Sequence, residues 1–293
     1  MDALEAVGLN FVYPGGVKAL VDVTFSIAPG EFAAILGANG SGKTTLFRLF
    51  SGMLHPTSGE IKVAGLAVGR ENMNQIYRIL GFVFQDPNDQ LFAPTVRDDV
   101  SFGPRNMGLD LEEVAKRTEI ALAQVRMQGF EERPVHALSF GQKRRVAIAG
   151  VLAMRPKIVI LDEPTSGLDP AGVTHVMDLL HHLNHDDGIT IAMSSHDVDM
   201  MAIFADKGYV LHEGRLLAAG KLLDIFADGE LIEMAGLRLP YVAQLISLVR
   251  SDLGLDHSET PLTVQAARGW LHEHVRIRDV FGERKGPDGA DGD

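Results

Sequence analysis

Gly37-Ala38-Asn39-Gly40-Ser41-Gly42-Lys43-Thr44 is the stretch that decides the fold. It fits the spacing G-x-x-x-x-G-K-[ST]. Glycines let the backbone curl until several N–H groups point inward at one anion, and a helix starting near Lys43 adds the positive end of its dipole. Lys43 has the reach to meet the outer phosphates of a nucleotide, and the Thr44 hydroxyl is the type of group that ligates Mg²⁺. The plainer reading is a glycine-rich turn ahead of a structural helix. Against it, Phe32–Leu36 just upstream is an uninterrupted apolar run, the pattern of a buried strand, and helical spacing follows the loop.

Further along, Ile158-Val159-Ile160-Leu161-Asp162-Glu163 is a second apolar run, and it ends in two carboxylates. An aspartate at the end of a strand beside a phosphate loop can hold Mg²⁺. In an extended chain the next residue, Glu163, points the other way, where it could polarise a water for attack on the γ-phosphate. Alone, Asp162-Glu163-Pro164 would read as an ordinary strand end. Paired with the phosphate loop it reads as half of a triphosphate site.

The rest of the chain fits an α/β core. Residues 1 to about 30 read as β structure around Pro14-Gly15-Gly16 and Pro29-Gly30 turns, and 60–64 as another strand. Helical patterning runs over 111–154 and Pro170–His185, with a buried strand at 189–193 and a hairpin of 209–213 and 215–219 about Gly214. Strands alternating with helices predict a parallel sheet, and the early strands an added antiparallel one. Past Gly220, Val242, Leu245, Ile246 and Val249 recur at helical spacing, and Thr263 is placed to cap a helix carrying Val264, Ala267 and Leu271. The expected domains are 1–220, a helical unit at 221–280, and a glycine-rich polar tail at 281–293 expected to be disordered.

Composition removes several alternatives. Of 293 residues none is cysteine, so disulfides, cysteine-ligated zinc and a thiol nucleophile are excluded. The formal net charge of −12 disfavours nucleic acid as a partner. The N-terminal MDALEAVGLN lacks the look of a signal peptide, and apolar runs such as 146–154 fall far short of the roughly 18 residues a membrane span needs. Membrane association is therefore expected only through partners.

Further motifs give the chain a family resemblance. Leu138-Ser139-Phe140-Gly141-Gln142 resembles the signature sequence of ABC-type ATPases, and it lies where that family places it, shortly before the acidic strand. Gln85 resembles the family's Q-loop glutamine, Ser166-Gly167-Leu168-Asp169 its D-loop, and His196 its switch histidine; Tyr13 stands where the family has an aromatic that stacks on adenine. The resemblance covers residues 1 to about 220. It implies a P-loop cassette with a RecA-like parallel core, an antiparallel β subdomain and an α-helical subdomain, hydrolysing ATP with Mg²⁺. It implies that Tyr13, Gly37, Asn39, Gly40, Ser41, Gly42, Lys43, Thr44 and Thr45 bind ATP in one subunit, that Ser139, Gly141 and Gln142 of the signature meet the ATP of the other, and that Asp169 of the D-loop also binds the nucleotide. Thr44, Gln85 and Asp162 would hold the metal, and Lys43, Gln85, Glu163 and His196 would serve the reaction. Taken singly, Gln85, His196 and Tyr13 read as ordinary loop or packing residues, Asp169 as a helix cap before Pro170, and Lys143, Arg144 and Arg145 as a solvated helix face.

Within that family, Gln85-Asp86-Pro87-Asn88-Asp89-Gln90-Leu91-Phe92 and Asp98-Asp99-Val100-Ser101-Phe102-Gly103-Pro104 resemble energy-coupling factor transporters. Phe140 within the signature, and Ala235-Gly236-Leu237-Arg238-Leu239-Pro240, resemble their cobalt and nickel branch, the CbiO type. The resemblance implies a second ATPase subunit, expected as a homodimer, with a transmembrane coupling protein and substrate-binding membrane subunits, at the cytoplasmic face of the cell membrane. It also implies that the C-terminal helices contribute to dimerisation. Importers of vitamins and soluble ABC ATPases of DNA repair or translation are the competing readings. His181 and His185, with His175 and His182 nearby, have a workable metal spacing, but a solvated polar face is the default.

Overall fold

The computed structural model describes residues 1–255 and 259–275. The tail expected at 281–293, and the last residues of the expected helical unit, lie outside the described residues. In chain order, β1 (Leu4–Val12) and β2 (Lys18–Ile27) form a hairpin, β3 (Phe32–Leu36) runs into the phosphate loop, and α1 (Lys43–Phe50) leaves it. Strands β4 (Ser58–Val63) and β5 (Leu66–Ala67) return to the hairpin, and α2 (Met73–Ile79) leads directly into β6 (Leu80–Val83). A helical layer follows: α3 (Val96–Asn106), α4 (Leu111–Gln124) and α5 (Phe140–Leu152). Then come β7 (Ile158–Asp162), α6 (Pro170–His185), β8 (Thr190–Ser194), α7 (Val198–Phe204), β9 (Lys207–His212) and β10 (Arg215–Gly220). Four helices close the described residues: α8 (Leu222–Ala227), α9 (Gly229–Met234), α10 (Tyr241–Leu253) and α11 (Val264–His274).

The strands form two sheets, ordered β2-β1-β4-β5 and β10-β9-β3-β8-β7-β6. The first is antiparallel; in the second only the β9–β10 hairpin departs from parallel pairing. All five residues of β3, β7 and β8 are buried. Their alternate side chains feed two separate cores, as the period-2 pleat requires. Phe32, Ala34, Leu36, Val159 and Leu161 join the core under the helical layer. Ala33, Ile35, Ile158 and Ile160 join the core shared with α1 and the antiparallel sheet.

Several expectations change in detail. The helical stretch 111–154 is two helices, because the chain breaks at Val125 and reorganises around a 3₁₀ turn at Val135–Ala137 before Ser139 starts α5 afresh. Helices α2 and α7, of seven residues each, are too short to declare a period. Leu222, Ile225, Phe226, Ile232 and Ala235 are buried in the core under the main sheet, so α8 and α9 pack on the body of the α/β fold. Among the described residues α10 and α11 share a further core, around Ile246, Ala267 and Trp270 with Val242 and Val249 against them, while Ala243 of α10 joins the main-sheet core. Leu245, expected in that stripe, is instead 58% exposed, because α11 covers only the Val242–Ile246–Val249 side. Thr263 does cap α11, accepting from the Ala266 N–H.

Candidate nucleotide site

The phosphate loop leaves the end of β3 with a backbone that only glycine supports at two points. Gly37 has φ 145°, and a Cβ there would meet the Leu211 carbonyl oxygen at 2.1 Å. Gly42 has φ 108°, and its Cβ would meet Ala19 O at 2.7 Å. The loop is thus wedged between β9 and β2 before α1 begins. Lys43, buried, folds back to donate to Gly37 O (2.8 Å) and Ala38 O (3.0 Å). Burial pushes its ammonium below the usual lysine range, while Glu163 and Asp162 pull the other way. Beside it, a cleft of about 340 Å³ is lined by Tyr13, Asn39, Gly40, Lys43, Thr44, Thr45, Gln85 and Glu163, among others. The Tyr13 hydroxyl lies 3.1 Å from Thr45 Oγ1, and its ring stands edge-on to Phe11, which fixes the aromatic at the cleft mouth.

The acidic strand arrives two places away in the sheet, with β8 between. The β7–β8 register pairs Asp162 with Ser194. Thr44 Oγ1 donates to Asp162 Oδ2 (2.6 Å) and Ser194 Oγ to Asp162 Oδ1 (2.6 Å), so this carboxylate is gripped from both neighbours. Its oxygens and the Thr44 hydroxyl form a hard-oxygen donor set of the type Mg²⁺ prefers. Glu163 departs from the extended geometry expected of it. It has φ 48°, a left-handed turn that is strained for a residue with a Cβ. Its N–H donates to Ser194 Oγ (3.0 Å) and its carbonyl accepts from Arg144 Nη1 (2.9 Å). The turn carries its carboxylate to His196 Nε2 (2.5 Å) and Gln85 Nε2 (3.3 Å).

Arg144 is the residue the sequence concealed. A basic run after the signature reads as a wet helix face, yet Arg144 is 1% exposed and also donates to Ser166 O (3.1 Å). One guanidinium therefore holds the backbone on both sides of the turn after β7. Burial lowers its pKa, opposed by Asp86, Glu163 and Asp162. Lys143 reaches Asn88 Oδ1 at 2.7 Å rather than standing free. Ser194 was equally hidden; its place opposite Asp162 in a parallel register is the signal that could have found it.

Ser139, Gly141 and Gln142 sit elsewhere. Ser139 and Gln142 close a reciprocal capping box at the start of α5: Ser139 Oγ accepts from Gln142 N (3.3 Å), and Gln142 Oε1 from Ser139 N (2.9 Å). Among the described residues they make no hydrogen bond to the phosphate loop and do not line its cleft. Ser139 and Phe140 face outward, and Gly167 lies under the Phe140 ring. Asp169 N-caps α6, accepting from Gly172 N at 2.7 Å. The histidines of α6 are used locally: His175 meets Gln124 O, His181 stacks on His185, and His182 pairs with Asp186. No group of three or more histidine or carboxylate side chains suited to a metal occurs among the described residues.

A wedged phosphate loop, a doubly held aspartate and a glutamate set against histidine and glutamine define a P-loop nucleoside triphosphatase. The sequence pattern of the ABC transporter family matches residues 20–166, and the chain belongs to that family, as one of its ATP-hydrolysing subunits. The energy-coupling factor transporter ATP-binding protein EcfA of Methanococcus maripaludis is 47% identical over 280 residues, 94% of this chain and 99% of the relative. EcfA of Methanocaldococcus jannaschii is 48% identical over 251 residues, 85% of this chain and 90% of the relative. Among solved structures, CbiO1 of Clostridium perfringens, part of the ABC transporter complex CbiONQ, is 44% identical with a TM-score of 0.71, covering 84% of this chain and 99% of that one. The dimeric cassette MJ0796, bound to ADP and Pi, is 30% identical with a TM-score of 0.69, covering 75% and 98%. No helix among the described residues is long and apolar enough to cross a membrane.

Proposed function

We propose that this chain energises an energy-coupling factor importer of cobalt or nickel, working as a homodimer that holds two ATP molecules at its interface. The observation that carries the reading is the convergence of Glu163, His196 and Gln85 beside the Thr44–Asp162 pair. Tyr13 would pack on the base, and Gly37, Asn39, Gly40, Ser41, Gly42, Lys43, Thr44 and Thr45 would cradle the phosphates. Thr44, Asp162 and Gln85 would hold Mg²⁺, which neutralises charge on the phosphate oxygens when bound. Glu163 takes the proton of the attacking water, with His196 fixing its carboxylate. Lys43 leaves the loop carbonyls for the γ-phosphate, whose transferring charge it stabilises.

The homodimer reading is supported by the exposed start of α5 at Ser139 and Phe140, away from the cleft, where Ser139, Gly141 and Gln142 would meet the partner's ATP. It is also supported by Tyr241, Leu245 and Leu248, which stand 67%, 58% and 64% exposed at i, i+4, i+7 on α10. A membrane partner is supported by a groove of about 640 Å³ that includes Met53, Tyr77, Phe84 and Phe102 in its lining, with Tyr77 and Phe102 half exposed. Phe84 precedes Gln85, so a helix seated there at the cytoplasmic face would touch the chain next to the site. The cobalt or nickel assignment rests on likeness to CbiO1 and on Phe140 in the signature.

The test is uptake into vesicles that hold the chain together with a transmembrane coupling protein and a substrate-binding membrane subunit. ATP-driven uptake of cobalt or nickel, lost in Lys43→Ala, is expected. Uptake of a vitamin and no metal would refute the substrate while keeping the energising role. Wild-type ATP turnover by Lys43→Ala would refute the site.

A further inference from the structure

Between α9 and α10 the chain crosses the nucleotide end of the molecule. Gly236, at φ 63°, passes so close to the phosphate loop that a Cβ there would lie 3.4 Å from that of Ala38. Two residues on, Arg238 turns to α7. Its Nη2 lies 2.5 Å from Asp199 Oδ2 and 4.0 Å from Asp197 Oδ1. The other Asp199 oxygen accepts the N–H of Tyr241 (2.7 Å), the first residue of α10. Pro240, at the cap position, has no side chain able to accept that bond, so a carboxylate of α7 caps α10. The Arg238 guanidinium also lies 4.2 Å from the centre of the Tyr241 ring.

His196 stands at the far side of the same junction. Ser195 Oγ accepts from Asp197 N (3.0 Å), and Asp197 caps α7 by accepting from Met200 N (3.1 Å). His196 is the residue between Ser195 and Asp197, and its ring meets Glu163. We propose that Arg238 and Asp199 are positioning residues for ATP hydrolysis, clamping α7 so that His196 keeps its place on Glu163 and linking α10 to that place. The proposal rests on the reading of Glu163 and His196 given above.

Exposure argues for positioning over stability. The Arg238 and Asp199 side chains are 38% and 29% exposed, and ion pairs that wet contribute little to folding. Their geometry is nonetheless fully determined, since one carboxylate is shared by a guanidinium and a helix N-terminus. An attack geometry responds steeply to small displacements. A shift of α10, whose exposed stripe is offered to a second copy, would therefore be felt at the γ-phosphate end of the cleft.

The experiment uses the full chain and reads steady-state ATPase parameters, with single-turnover phosphate release for the slow variants. Arg238→Ala and Asp199→Asn should each lower kcat by roughly tenfold while KM for ATP stays within about twofold. Asparagine keeps an oxygen for the Tyr241 N–H, so Asp199→Asn tests the clamp even if Arg238→Ala folds poorly. The double variant should match the single ones, and Arg238→Lys should recover most of the activity. In a His196→Ala background, Arg238→Ala should add no further loss. Wild-type kcat in Arg238→Ala and Asp199→Asn, a defect confined to KM, or an undiminished loss on top of His196→Ala would overturn the proposal. Wild-type turnover by His196→Ala would overturn the reading of the histidine, and this clamp with it.

Discussion

Replacing Arg144 by methionine should cost both stability and turnover, and the two losses have separate sources. The substitution keeps most of the volume and removes the two hydrogen bonds to Glu163 O and Ser166 O. The Glu163 carbonyl, part-buried, costs about 1–3 kcal/mol when left unpaired, whereas Ser166 is exposed and its carbonyl can turn to water. Part of that is returned, because the cation no longer has to be desolvated in a site where burial already lowers its pKa. A net loss of about 1–2 kcal/mol remains. At about 2–4 °C per kcal/mol for chains somewhat smaller than this one, Tm should fall by roughly 2–8 °C. The kinetic loss comes from Glu163, whose left-handed backbone costs about 1–3 kcal/mol to hold and has Arg144 on its carbonyl. Without that anchor kcat should drop roughly tenfold or more, since each 1.4 kcal/mol is a factor of ten. Arg144→Lys, able to serve one carbonyl at a time, should fall between. The assays are differential scanning calorimetry and phosphate release on the same preparations. A methionine variant that melts higher than wild type, or keeps kcat within twofold, would show that the guanidinium does not hold this turn.

Other substitutions separate the remaining roles. Glu163→Gln should still bind ATP but cleave it at least about 10²-fold more slowly, as loss of a general base requires; normal phosphate release would move that role to another residue. Ser139→Arg mixed with Lys43→Ala should give dimers in which one site carries both lesions and the other neither. Those dimers should keep measurable activity when both parent homodimers are inactive, whereas equal inactivity would point to strict coupling or a same-chain role for Ser139. His175 has its pKa lowered by burial and by Arg126, so the unfolded chain takes up its proton first as pH falls. Its contribution is therefore present above the ordinary histidine value and lost as pH falls from there through the lower folded value. Between about pH 8 and pH 5.5 the Tm of His175→Gln should fall less than that of wild type, and parallel profiles would remove His175 as the source.

The sequence announced those parts of the site where chemistry constrains residue type. Only glycine tolerates the backbone at Gly37 and Gly42, and only an apolar strand ending in a carboxylate delivers Asp162 to Thr44. Arg144 was hidden because a cation in a basic run looks the same whether it is solvated or buried beneath a turn that it anchors; burial decides, and burial belongs to the tertiary structure. The left-handed turn at Glu163 was hidden for a related reason, since it is imposed by Arg144 and Ser194 from outside the local segment. Leu245 followed the helical period but faces outward, because period fixes a face and the width of the partner fixes how much of it is covered. The Arg238–Asp199 contact joins positions 39 apart, beyond any pattern read within one element.

Strand β7 illustrates how little mutational freedom such an arrangement leaves. Ile158 and Ile160 fill one core, Val159 and Leu161 the other, and Asp162 is committed to Thr44 and Ser194. None of the five residues faces water, so every substitution in the strand is felt by a core or by the site. A slip of one residue against β8 would bring Leu161 to the position opposite Ser194 and drive the carboxylate out of register, exchanging the two cores in the same step. Variation at Ile158, Val159, Ile160 and Leu161 is thereby confined to swaps among apolar residues of matched volume, and freer change is left to exposed positions elsewhere on the molecule.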